Sequence, residues 1–204
     1  MGGANTSVEK IVGDIAKCRI CVETPGRRGP LPHEPRPVIR GKASARLCIA
    51  GQAPGTRVHA SGMPFTDPSG DRLRDWMGLT AETFYDDSKL AIVPMGFCFP
   101  GLDAKGGDLP PRPECAKAWH GRVFESLENL ELILLVGGYS QKYHLGMKAK
   151  ATLTESVRAW EDYMPRYLPL PHPSWRNTGW LKKNPWFEQD VLPVLKREVS
   201  RLVS

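Results

Sequence analysis

No stretch of this 204-residue sequence reaches the roughly eighteen uninterrupted apolar residues that a membrane-spanning helix requires. Met1-Gly2-Gly3-Ala4-Asn5-Thr6-Ser7 has no basic segment followed by an apolar run, so no secretory signal is expected there and a cytoplasmic location is. Cysteine is scarce and odd in number, at five. In a cytosolic chain that argues against a disulfide framework and for metal binding by a subset. The histidines, His33, His59, His120, His144 and His172, contain no His-x-x-x-His pair, which leaves little support for a metal-dependent hydrolase built on them. Internal repeats and low-complexity tails are absent.

What is present is an ordinary globular composition, 41% hydrophobic and 25% charged, with a formal net charge of +6. The length suits one domain over residues 1–204, expected to be monomeric. A positive balance helps a protein find a polyanion such as nucleic acid, because neutralising phosphates releases counterions.

Three short apolar runs, Leu47–Ala50, Leu90–Val93 and Leu132–Val136, are continuous rather than alternating, as strands covered on both faces should be. A fourth strand is expected at Arg166–Leu170. Helices are expected over Ser7–Lys17, after an Asp67 cap with Pro68 at the first position and Gly78 at the end, over Pro113–Leu127 and Thr154–Tyr163, and from Asn184 onward. Pro193 should kink or divide the last of these. The stretch from Pro25 to Pro37 reads as an irregular connection. Strands alternating with helices predict an α/β fold, a three-layer α/β/α domain with a mostly parallel four-stranded sheet. Ligands in such sheets bind at the carboxyl ends of the strands.

Two loops lie at such ends. Gly51-Gln52-Ala53-Pro54-Gly55 is a rigid turn with little side chain, which lets backbone amides approach a ligand. His172-Pro173-Ser174-Trp175-Arg176-Asn177 follows the fourth strand, with Lys182 and Lys183 close behind and suited to phosphate contacts. Cys18 and Cys21 form a Cys-x-x-Cys pair, and Cys98 and Cys115 form a wider one. Two such pairs converging can hold Zn²⁺ or a [4Fe–4S] cluster, and thiolate chemistry alone does not choose between them or exclude free thiols. Cys48, inside an apolar strand, reads as core.

From Gly51 to Leu79 the chain, GQAPGTRVHASGMPFTDPSGDRLRDWMGL, resembles the first signature of the uracil-DNA glycosylase superfamily. It is most similar to the iron–sulfur families 4 and 5, which have a Gly-Glu-Ala-Pro-Gly loop, then Gly-x-Pro-Phe, then a Gly-rich turn opening a helix. Gly62, Pro64, Phe65 and Gly70 match that series, and His172-Pro173-Ser174 resembles the second signature in order and distance. The resemblance implies a monofunctional DNA glycosylase that hydrolyses the N-glycosidic bond of uracil or a related deaminated base and leaves an abasic site. It implies that Gly51, Gln52, Ala53, Pro54 and Gly55 cradle the base, with Gln52 and the backbone around Ala53 contacting the base and the attacking water, so that Gln52 joins His172 as a catalytic residue. Phe65 would stack on the extruded base, an interaction worth roughly 1–3 kcal/mol. His172 would donate, as neutral imidazole, to the pyrimidine O2 where charge grows, a role typically worth about 2.7–4 kcal/mol. Ser174 would hold a phosphate, and Trp175, Arg176 and Asn177 would fill the gap left by the flipped nucleotide. Cys18, Cys21, Cys98 and Cys115 would ligate a [4Fe–4S] cluster, with Zn or no metal as the alternatives.

Two departures stand out. Ala53 occupies the position where the fastest members of the superfamily place Asp, and others Asn, to orient the water; families 4 and 5 also lack that side chain. Pro94 stands where those families commonly have an Asn that reads the base edge, and proline offers neither a side-chain hydrogen bond nor an N–H. A broader base preference than uracil alone is therefore expected. No lysine lies in either motif to form a Schiff base, so strand nicking is not expected. The competing reading is a low-turnover protein that binds lesions or abasic sites on the same fold.

Overall fold

The computed structural model describes residues 7–204; residues 1–6, part of the segment read above as lacking a secretory signal, lie outside it. The four strands are β1 (Leu47–Ala50), β2 (Leu90–Ile92), β3 (Leu132–Val136) and β4 (Tyr167–Leu170). They form one sheet in the order β2-β1-β3-β4. All three pairings are parallel, registered at Ile49 with Ile92, Ala50 with Leu135 and Val136 with Leu170. The mostly parallel sheet expected from the sequence is thus entirely parallel.

Because side chains alternate along a strand, each strand feeds two cores. Cys48, Ala50, Ala91, Ile133 and Leu135 face Val8, Ile11 and Ile15 of helix α1 (Val8–Ala16), together with Val123 and Leu127. Leu47, Ile49, Leu134, Val136 and Leu170 face the other side. There they meet Leu73, Trp76 and Met77 of α2 (Pro68–Met77) and Leu195, Val199 and Leu202 of α5 (Leu192–Val203). Helices on both faces of the sheet explain why the strands read as unbroken apolar runs.

Local chemistry sets the helix ends. The Ser7 side chain accepts from the Lys10 N–H to start α1, and the Asp67 carboxylate accepts from the Gly70 N–H to start α2 with Pro68 in its first turn. Gly78, at φ 68°, closes α2 in the left-handed conformation. The expected helix over Pro113–Leu127 is continuous, but Ala116–His120 winds as a π-turn between Pro113–Cys115 and Gly121–Ser126. The expected helix over Thr154–Tyr163 divides into Leu153–Arg158 and a 3₁₀ turn, Trp160–Tyr163. Near Pro193 the chain makes a π-turn at Phe187–Val191 that runs directly into α5, so the regular α-helical pattern is interrupted just before the proline, as expected. Helices without a clear sequence signal include Thr56–Ser61, α3 (Gly138–Leu145) and α4 (Thr178–Lys183), and the single turns Ile20–Glu23 and Ala81–Phe84. No helix among the described residues is long and apolar enough to cross a membrane.

The proline-rich connection is tied down by polar contacts. Arg28 donates to the carbonyls of Pro110 and Pro111, Arg112 donates to the Gly29 carbonyl, and the Gly26 N–H donates to Glu114. Glu114 and Arg112 also form an ion pair at 2.9 Å, with both side chains largely buried. These contacts seat the N-terminal cysteine pair against the segment that carries Cys115.

Candidate active site

Strand order reverses at β1, with β2 on one side and β3 on the other, and the loops leaving the carboxyl ends there enclose a cavity of about 400 Å³. Gly51, Gln52, Ala53, Pro54 and Gly55 line it, along with Phe65, Pro94, His172 and Trp175. A second space of about 300 Å³ adjoins it, sharing Gln52, Ala53 and His172 and continuing along Ser174, Arg176 and Asn177. The structure thereby brings all of these sequence-predicted residues to one cleft. Lys182 and Lys183 are exposed in the last turn of α4 and line neither space.

The β1 loop is held by its backbone. The Gly51 carbonyl accepts from the Met95 N–H at 3.0 Å, and the Gln52 carbonyl accepts from the Gly96 N–H at 2.9 Å. The Gln52 side chain lies over Gly137, where an added Cβ would come within 2.6 Å of its amide nitrogen. Phe65 packs its ring edge toward Gly51, 3.7 Å from where a Cβ would stand, and meets Phe84 edge-on. Its φ of 57° is the one left-handed non-glycine conformation among the described residues, and strain of this kind persists only where neighbours impose it. Here the Phe65 carbonyl accepts from Arg74 and from the Tyr85 hydroxyl, each at 3.1 Å. Gly70 must also be bare, because a Cβ there would lie 1.8 Å from that same carbonyl oxygen.

The β4 loop is held by side chains. His172 Nδ1 accepts from the Ser174 N–H at 3.2 Å, which leaves the proton of a neutral ring on Nε2. Burial pushes the His172 pKa down, opposed by the nearby Asp67 carboxylate. The Asn177 side chain donates to the His172 carbonyl at 2.7 Å, and Arg72 of α2 donates to the Ser174 carbonyl at 3.1 Å. The Ser174 hydroxyl accepts from the Arg176 N–H, so it caps the turn Trp175–Asn177. Trp175 is 71% exposed at the cavity edge, with the Arg176 guanidinium 5.9 Å from its ring centre.

Pro94 is buried and its carbonyl meets His120 Nε2 at 3.1 Å. His120 is held neutral at about 4 by burial, so this contact is a donation from its N–H. The Pro94 carbonyl is therefore already engaged from behind.

The four cysteines of the two pairs lie together. The Cys115 thiol pulls Cys21 down to about 7, and the Cys21 thiol together with burial pushes Cys115 up. Cys98, raised to about 12 by burial, feels both Cys21 and Cys18, and Cys18 accepts from the Trp119 indole N–H at 3.3 Å. Among the described residues no group of three or more His, Cys, Asp or Glu is arranged to hold a single metal ion. Cys48 is fully buried in β1 and raised to about 12, as a core thiol should be.

Sequence reasoning passed over several residues of the cleft. Asp67 was legible only as a helix cap, yet it lines the cavity; Asp108 and Tyr139 sit on loop and helix segments with no periodic signal. Arg72 and Arg74 carry a faint one, since both lie on the helix that opens the Gly-rich turn. The family model described as the Uracil DNA glycosylase superfamily matches residues 38–196, a span that contains both loops and the whole sheet.

Proposed function

The chain belongs to the uracil DNA glycosylase superfamily, and from that premise we propose that it removes uracil or a related deaminated base from DNA by hydrolysing the N-glycosidic bond. The observation that carries the reading is the state of His172. With Nδ1 occupied by a backbone N–H and the ring kept neutral by burial, its Nε2–H is a pre-aimed donor inside a cavity that also holds an aromatic ring. As the C1′–N bond lengthens, negative charge moves onto the base, and a donor fixed at the base carbonyl stabilises that charge without reorganising. Phe65 supplies the stacking face, and the exposed Trp175–Asn177 turn supplies the occupant of the vacated position in the duplex.

The reaction is monofunctional, ending at an abasic site. Neither space of the cleft is lined by a lysine, so no amine is placed to form a Schiff base. Base preference extends beyond uracil, because the buried Pro94 offers no group to pair with the base edge. Cys18, Cys21, Cys98 and Cys115 hold a [4Fe–4S] cluster on this reading. The donor set fits: four thiols from two distant segments, close enough to influence one another and set among Leu31, Phe97 and Trp119. The cluster would act as a cross-link between the N-terminal helix region and the π-turn segment.

The test is excision from oligonucleotides carrying uracil, hypoxanthine, xanthine or modified uracils, comparing the native protein with His172→Ala. Uracil release by the native protein alone, with strand breaks appearing only after alkali or heat, is expected. Equal inertness of both proteins with retained DNA binding would instead favour a lesion-binding role. Iron and sulfide analysis of freshly purified protein, with its visible spectrum, tests the cluster; zinc or bare thiols would remove it.

A further inference from the structure

Hydrolysis needs a group that orients water and takes its proton, and Ala53 offers none. Other cavity groups able to accept a proton are already engaged. Asp67 spends one carboxylate oxygen on the Gly70 N–H and the other on the Ser69 hydroxyl, at 3.2 and 3.1 Å. His172 Nδ1 takes the Ser174 N–H, and its Nε2 carries the proton. The amide of Gln52 is not a base.

Asp108 differs from all of these. It lines both the cavity and the adjoining space, at the seam it shares with Gln52, Ala53 and His172. Its Oδ2 stands 3.4 Å from where a Cβ of Gly55 would be, directly against the loop that lacks a catalytic side chain. No hydrogen bond reaches its carboxylate among the described residues, and the residue is open to solvent at the mouth of the cleft. Its backbone is fixed on both sides: Asp108 bridges to Leu102, and the Leu109 N–H donates to the Gly101 carbonyl. The preceding turn is set by Asp103, whose carboxylate accepts from the N–H groups of Lys105 and Gly107 at 2.8 Å. Partial burial raises the Asp108 pKa, Arg176 opposes the rise, and Asp67 and Asp103 add to it, so the carboxylate is a better base than a free aspartate. A carboxylate in a cleft meant for a polyanion works against binding, which is a reason to look for its use in the chemistry.

We infer that Asp108 is the carboxylate that positions and deprotonates the attacking water, supplying from a different loop what the Gly51–Gly55 loop lacks. This rests on the glycosylase reading above. The water oxygen bonds to C1′ as the C1′–N bond breaks, and the bonding pair leaves on the base, whose anion His172 stabilises. The water proton passes to Asp108, which returns it to the departing base or to solvent. The same negative charge favours the oxocarbenium character that develops at the sugar.

The experiment is single-turnover excision on a uracil oligonucleotide by the native protein, Asp108→Asn, His172→Ala and the double variant Ala53→Asp/Asp108→Asn. Positioned bases typically contribute about 10²–10⁴-fold. Asp108→Asn should therefore lose at least about 100-fold in the chemical step, with DNA affinity unchanged or tighter because a negative charge has gone. The double variant should recover a measurable part of the loss, which a merely structural role of Asp108 would not allow. Asp108→Asn within about threefold of the native rate, while His172→Ala is slowed by roughly 10²–10³-fold, overturns this assignment and leaves the glycosylase reading standing. A native protein that excises no base overturns both. A loss in Asp108→Asn that tracks weaker DNA binding, with no recovery in the double variant, also overturns the assignment.

Discussion

The two loops that form the cleft reach the same place by opposite means. The β4 loop is a side-chain construction, in which His172, Ser174, Asn177 and Arg72 hold one another through hydrogen bonds that fix a ring and its tautomer. The β1 loop is a backbone construction, pinned by its carbonyls to the segment after β2 and contributing almost no functional group of its own. Its active ring, Phe65, comes from further along the chain and is forced into a left-handed conformation by Gly70, Arg74 and Tyr85. Polar side chains are therefore concentrated in one loop while the other sets shape, and substitutions in the two should fail in different ways.

The largest expected effect is at the side-chain loop. His172→Ala should slow excision by roughly 10²–10³-fold while leaving DNA affinity near native, since the donor acts mainly on charge that develops in the transition state. Equal losses in affinity and rate would break the distinction drawn here. Gly70→Ala comes next and should act through the fold: a Cβ pressed onto the Phe65 carbonyl should destabilise the protein by about 1–3 kcal/mol and displace the ring. Thermal melting and base affinity should fall together. Acid should then separate the loops without mutation. Because burial lowers the His172 pKa, its contribution to stability is complete above the ordinary histidine value and is lost as pH falls through the folded-state value. Protonated Nδ1 would also face the Ser174 N–H donor to donor. Excision measured across pH should hold steady near neutrality and fall on the acid side of about 6.5. Arg72→Ala is the mildest. It removes a hydrogen bond behind the Ser174 carbonyl and should reduce the rate about fivefold, with little change in melting temperature.

Much of the frame was legible in the residues. The three apolar runs beginning at Leu47, Leu90 and Leu132 announce buried strands because both faces are covered, and the Asp67–Pro68 start and Gly78 stop of α2 are set by local capping chemistry. Both loops could be read as ligand loops for the same reason. The π-turn at Ala116–His120 was not legible, whereas the one at Phe187–Val191 stands just before the Pro193 that announces a break in that helix. Helix α3 was missed because it is exposed on one side and polar in composition, with Tyr139 and Tyr143 facing solvent.

By itself, the sequence determined the parallel sheet, the order of its elements, the glycines that close turns and the identity of the two loops, because each is written in local composition and in spacing along the chain. Tertiary structure decided the rest. Only the folded chain shows that Ser174 selects the His172 tautomer, that His120 occupies the Pro94 carbonyl, that four cysteines share one corner, and that Asp108 stands beside the loop that lacks a carboxylate. Each of these joins the ends of different segments through a burial or a hydrogen bond, and such terms have no value until the sheet has brought those ends together.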